Sequence, residues 1–462
     1  MRRRKKSRQI SIMRHVNTGF FISPVIKFQN NLLLTVLRPP KRFLTFPPLK
    51  KIKLLFFASF LSLLSFSASA VDITIARFFG ECEDAGSDTT VTSGEACIIQ
   101  SIINAFDEQN PDINVTTEHL DWGQTYNILQ TRYADNSAPD IHIMHRHRIP
   151  QFSSIGAIAD LSGELEKYGM DSGDIVPMMM DALTYDGGMW GLPLDIHAGL
   201  FHTNMDLMAK AGLVKDGKPI YPTSPEEMLE HARACKAAGA DYIASGQVRT
   251  IYSLAWQQNS NFFDGKKATL NTDEVKNSVQ LFLDLKEIGA FQPELDYGSA
   301  EKFFMDGNAC ILYNGTWVVD YYSQNVDFNY YVGPMPTLYD KGATWADSHM
   351  WSIPAALKSS SPEKYDAVMK LAKFMWDHSI DWSRTGHMSY RSSVINSDAY
   401  KNLPHRSEYA STADIMTDTP HSVNYGAIVS LLDSEIQAIM LGEKELNSTL
   451  KDANNKLKKL IR

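Results

Sequence analysis

The segment HIMHRHR sets His142, His145 and His147 around Arg146. Imidazoles this close together could ligate a metal ion, or hydrogen-bond the polar groups of a bound solute. His142 falls inside an extended, apolar run, away from the other two, and no Cys, Asp or Glu accompanies them at ligand spacing. Solute contacts or a solvated loop are therefore expected here, and no metal. The sequence has no G-x-S-x-G elbow, no H-E-x-x-H, no phosphate-cradling glycine loop and no nucleophilic cysteine motif. Chemistry by those routes is not expected, and binding is.

The elements around this segment are those of a parallel α/β protein. VDITIARFF, INVTTEHL and PDIHIMH read as strands, and ACIIQSIINAFDEQN and DWGQTYNILQTRYADNS as helices between them. Further on, Ser224 and Pro225 open a helix, MWSIPAAL reads as a strand, and PEKYDAVMKLAKFMWDHS and the tail from Gly442 read as helices.

Composition adds the compartment. KIKLLFFASFLSLLSFSASA, from Lys51 to Ala70, has a basic start, a short apolar core and an Ala-Ser-Ala end, the pattern of a secretory signal cleaved near Ala70. The apolar run is short for a bilayer span. Residues 1–70 are thus expected to be leader and signal, and the mature chain to be exported to the periplasm. They hold 14 Lys and Arg and no Asp or Glu, so the remaining 392 residues carry a net charge of −22 against −8 for the whole chain. That surface disfavours nucleic acid and anionic membranes as partners. Cys82 and Cys97 flank a polar loop and could bridge in an oxidising compartment or stay as thiols; Cys235 and Cys310 are expected to be buried small hydrophobes.

Several segments together resemble the extracellular solute-binding proteins of ABC importers, in the carbohydrate-binding family that includes maltose-binding protein. They are AFDEQNPDINV, APDIHIMHRHRIPQFSSIGAIADLS, GGMWGLPLD, HTNMDLMAKAGL and KFFMDGNACILYNGTWVV, in family order across most of residues 71–462. The resemblance implies an α/β, two-lobe periplasmic-binding-protein type II fold with crossing hinge strands and a ligand cleft between the lobes. Lobe 1 is expected at 71–195 plus 313–355, and lobe 2 at 196–312 plus 356–462. It implies a monomeric receptor that captures a sugar and hands it to an inner-membrane permease, without a cofactor. The alternative is a non-sugar solute: a polyol, glycerol phosphodiester, osmolyte or metal.

A sugar needs aromatic faces for its ring and planar polar groups for its hydroxyls. Placed on the family's contact loops, the candidates are Glu81, Trp122, His145, Arg146, His147, Asp195 and His197, then Arg249, Trp256, Trp317, Trp351, Tyr390, Arg391 and Tyr425. Trp190 takes a position that is more often structural. Iron-binding relatives use paired tyrosines, and Tyr321-Tyr322 and Tyr330-Tyr331 offer pairs, but neighbours on a strand face opposite ways.

Overall fold

A computed structural model describes residues 70–90, 93–244, 248–264 and 266–461. The expected leader and signal lie outside the described residues, Ala70 excepted. Among the described residues no helix is long and apolar enough to cross a membrane.

The chain opens with β1 (Val71–Arg77), α1 (Gly94–Gln109), β2 (Ile113–His119), α2 (Thr125–Ala134) and β3 (Ile141–His145). β1 lies parallel to both β2 and β3. α1 forms because Ile98, Ile99, Ile102, Ile103 and Phe106 recur at helical spacing and are all buried. Then come β4 (Leu192–Asn204), α3 (Pro225–Ala237), β5 (Asp241–Ile243), α4 (Val248–Gln257), α5 (Asp273–Glu287), β6 (Ala309–Gly315) and β7 (Tyr330–Pro334). The chain ends with β8 (Thr344–Ser352), α6 (Pro362–Asp377), α7 (Ser379–Ser383), β9 (Met416–Asp418), α8 (Tyr425–Leu441) and α9 (Leu446–Leu460). α3 begins where expected: the Ser224 hydroxyl accepts from the Glu227 N–H at 3.2 Å, Pro225 follows it, and the Glu227 carboxylate accepts from the Thr223 N–H at 2.7 Å.

The main sheet runs β2-β1-β3-β8-β4-β6-β5, with β7 also on β4 and β9 also on β8. Two large hydrophobic cores divide it, and a smaller third cluster gathers Phe304, Leu312 and Tyr322. One collects β1 to β3, α1 and the start of β4, with Met350 and Trp351 at the end of β8. The other collects Phe201 near the end of β4, Tyr313, Trp345, α3 to α5, α8 and α9. β4 and β8 are buried along their whole lengths because they run from one core into the other.

The packing departs from the expected division in two places. Tyr365, Val368, Leu371 and Met375 of α6, together with Trp382 and Tyr390, pack in the first core, although 356–462 was assigned to lobe 2. Tyr313, Met335, Leu338 and Trp345 pack in the second core, although 313–355 was assigned to lobe 1. An apolar helix face reads the same whichever sheet it covers, so its periodicity could not choose.

Cys82 and Cys97 are bridged. Cys235 and Cys310 are bridged too, which corrects the reading of them as free buried thiols. Both lie fully buried in the second core, on α3 and β6, and a separation of 75 residues hid the pairing. Closing a loop of that size is worth about 4 kcal/mol in the chain-entropy account.

Candidate functional site

One tripeptide pattern occurs on both core-crossing strands. β4 carries Asp195-Ile196-His197 and β8 carries Asp347-Ser348-His349. The strands are antiparallel, with Asp195 opposite His349 and Asp347 opposite His197. Directly opposed residues share a face, so all four side chains converge. β3 adds His145, opposite His349, and the turn after it adds His147. An isolated antiparallel bridge between Ile196 and Met388 brings His387 alongside Asp195.

Asp195 is densely bonded. It accepts from His197 Nδ1 at 3.0 Å, His349 Nδ1 at 2.9 Å and the Trp382 indole N–H at 2.8 Å. His147 hydrogen-bonds Asp347, and Tyr126 Oη lies 2.5 Å from His145 Nδ1. Burial, reinforced by neighbouring imidazoles or Arg side chains, pushes His145 well below its ordinary range, His147 to about 4 and His387 to about 3. Burial opposes ionisation of Asp195 and Asp347, but the imidazoles around each outweigh it and hold both carboxyls low. Glu95 differs: burial, then the Asp195 charge, drives its carboxyl well above the usual range.

Above this floor stands an aromatic rim. Trp317 and Trp345 meet edge to face, centroids 6.3 Å apart, and His197 lies 5.7 and 5.6 Å from them. The Arg249 guanidinium sits 4.4 Å over Trp345 and 5.8 Å from both Trp317 and Trp122. Trp122 follows β2 of the first core and Arg249 lies on α4 of the second, so the rim joins elements of the two cores. The Trp317 N–H donates to Tyr297 Oη at 2.9 Å. At the other side His147 stacks on Tyr425 at 4.0 Å, and Arg146 pairs with Asp418 at 3.2 Å.

The structure thus brings together Trp122, His145, Arg146, His147, Asp195, His197, Arg249, Trp317 and Tyr425. Other expected contacts lie elsewhere. Trp351 is 1 % exposed inside the first core, at the end of β8 beyond His349. Tyr390 packs on Trp376 in the same core, and Arg391 is held by Asp174 at 2.8 Å. Trp256 is buried beside Tyr252 and lines a small apolar cavity with Tyr425. Glu81 is exposed; it is Phe78 and Phe79 of that loop whose rings meet His349. Trp345, Asp347, His349 and His387 were missed. The repeated Asp-x-His pattern was the available signal, but the strand read from Met350 begins at Thr344. The acidic residues judged absent from the histidine cluster arrive from β4 and β8.

Comparisons with known proteins agree with this architecture. Residues 93–378 match the family described as bacterial extracellular solute-binding protein, and the chain belongs to that family, one of transport receptors and not of enzymes. It is 20 % identical to the maltotriose-binding protein of Pyrococcus abyssi, over 76 % of this chain and 76 % of that one. Among solved structures it is similar to the ABC substrate-binding protein Lmo0181 of Listeria monocytogenes in complex with cycloalternan, with a TM-score of 0.71, 20 % identity, and 85 % and 99 % of the two chains covered. Maltose-bound MalE3 of T. maritima gives a TM-score of 0.71 at 19 % identity, covering 85 % and 100 %. The fold is that of the two-lobe periplasmic-binding proteins, as the resemblance implied.

Proposed function

We propose that this chain is the sugar-capturing receptor of an ABC importer, exported to the periplasm and cleaved near Ala70, and that it delivers its ligand to the membrane permease as a monomer. The observation that carries the reading is the rim. Indole faces of Trp122 and Trp317, with Arg249 between them, stand over buried polar groups on the strands that join the lobes. Aromatic faces accept the apolar side of a sugar ring, while guanidinium, carboxylate and imidazole groups accept and donate to its hydroxyls. Relatives named for maltotriose and mannitol support a polyhydroxylated ligand. Two disulfides fit an oxidising compartment.

The work is done by closure. Trp122 and Arg249 belong to different lobes, so a ligand that touches both binds the closed form better than the open one and shifts the population toward it. The permease reads the closed form.

A thermal-shift screen of the purified protein against sugars, polyols and osmolytes tests this. Binding raises the melting temperature by mass action, about 2.7 kcal/mol at a hundredfold excess over Kd. A rise with one sugar class, reduced in Trp317→Ala, is expected. A rise confined to phosphodiesters or osmolytes, or none with any solute, would sink the sugar reading.

A further inference from the structure

We propose that Asp195, His197, His349 and His387 form a binding site for a divalent transition-metal ion, zinc by its chemistry, at the pivot between the lobes. This goes beyond solute capture and does not depend on which solute the rim takes.

The first observation is convergence. Each of the four offers one ligating atom, these atoms all lie within 4.8 Å of one another, and all four residues are buried. Tetrahedral zinc with bonds of about 2.0–2.2 Å separates its ligand atoms by about 3.3–3.5 Å. Here Asp195 lies 3.0 Å from His197 Nδ1, 2.9 Å from His349 Nδ1 and 3.7 Å from His387 Nε2, which brackets that edge length. Three imidazoles and one carboxylate are a donor set that suits zinc and does not suit calcium or magnesium, which take oxygen.

The second observation is an orphan. His387 is 0 % exposed, yet its Nε2 has no hydrogen-bond partner. The nearest acidic oxygens are Glu95 Oε1 at 3.5 Å and Asp195 Oδ2 at 3.7 Å. A buried, unsatisfied nitrogen is destabilising. Ligation would satisfy it.

The third observation is the outer support. His387 Nδ1 lies 2.7 Å from the Thr385 hydroxyl, which leaves Nε2 as the atom turned toward the cluster. The Trp382 N–H holds Asp195 Oδ2. Metal-ligating histidines and carboxylates are ordinarily oriented by such partners. Gly386 permits the turn: its φ is +112°, and a Cβ there would lie 2.1 Å from the Thr316 carbonyl oxygen. An ion in this position ties β4 and β8 to the segment Thr385–Met388.

The test uses the full protein, stripped with chelator and titrated with Zn²⁺ alone by calorimetry, with metal analysis of the dialysed product. One zinc per chain with Kd below ~1 µM is expected. His387→Ala should weaken binding by about 100-fold and Thr385→Val by about 10-fold, while His119→Ala, at the end of β2, leaves it unchanged. Co²⁺ loaded into the unaltered protein should show the intense visible bands of a tetrahedral site, a readout that needs no variant to fold. Fewer than ~0.2 zinc ions retained per chain, equal affinity in His387→Ala and His349→Ala, or weak six-coordinate cobalt bands would overturn the proposal.

Discussion

The rim and the floor of the cleft lie within one or two side chains of each other and follow opposite rules. Trp122 is 57 % exposed and Arg249 partly so, whereas Asp195, His197, His349 and His387 are each 4 % exposed or less. At the rim Trp122, and in part Trp317, keep apolar faces turned to solvent, which is costly unless something covers them. The floor withdraws ionisable groups from water, which is costly unless each finds a partner. In the function proposed above, the first meets the ring faces of the ligand. The second offers polar groups to its hydroxyls from the two strands that run between the cores.

The sharpest way to break this contrast is to remove the floor's central acceptor. Asp195→Ala leaves the donors of His197, His349 and Trp382 without their shared carboxylate, and should destabilise the protein by about 3–5 kcal/mol in chemical denaturation. At the rim the same truncation should act on affinity instead. Trp317→Ala should weaken solute binding by about 2 kcal/mol, some 30-fold, while the melting temperature of the solute-free protein moves by only a few degrees. Trp351→Phe is the matching control: it sits in the first core, so affinity measured by tryptophan fluorescence titration should be unchanged.

A smaller effect sharpens the comparison from outside the site. His202, also on β4, is fully buried, lies 2.7 Å from Tyr330 Oη and donates to the Gly315 carbonyl at 3.1 Å. Burial holds it down to about 3. A histidine depressed in the folded state binds fewer protons there than when unfolded. The stability it permits is therefore whole above pH ~6.5 and is lost as pH falls toward 3. Between pH 7.5 and 5.5 the native protein should lose about 1.4 kcal/mol more than His202→Gln. Equal losses would show that His202 is already charged in the fold.

How far the sequence carried depended on separation along the chain. β1, α1, β2, α2 and β3 were readable because strand and helix periods alternate over short distances and Pro111 stops the first helix. Trp317 and Trp122 could be placed near one another because a turn and a strand end mark them. Trp351 and Tyr390 were misplaced because both pack into the first core against residues distant in sequence, which local pattern does not reveal. The Cys235–Cys310 bridge and His387 were missed for one reason: their partners are 75 and about 190 residues away, and no local rule spans that distance.

The hydrogen bond from Trp382 to Asp195 closes a separation of 187 residues. A chain threaded outward from its amino terminus presents β4 long before α7 exists. Until then Asp195 has no indole to meet it, and the face of β4 that will hold His197 has neither His349 nor His387 beside it. Loop-closure entropy makes such distant contacts late ones. The opening β-α-β units of the first core can form early, but the pivot is sealed only when nearly the whole chain is present. An unfinished or truncated molecule therefore exposes its buried charges, because Asp195 meets its indole partner only once α7 is present.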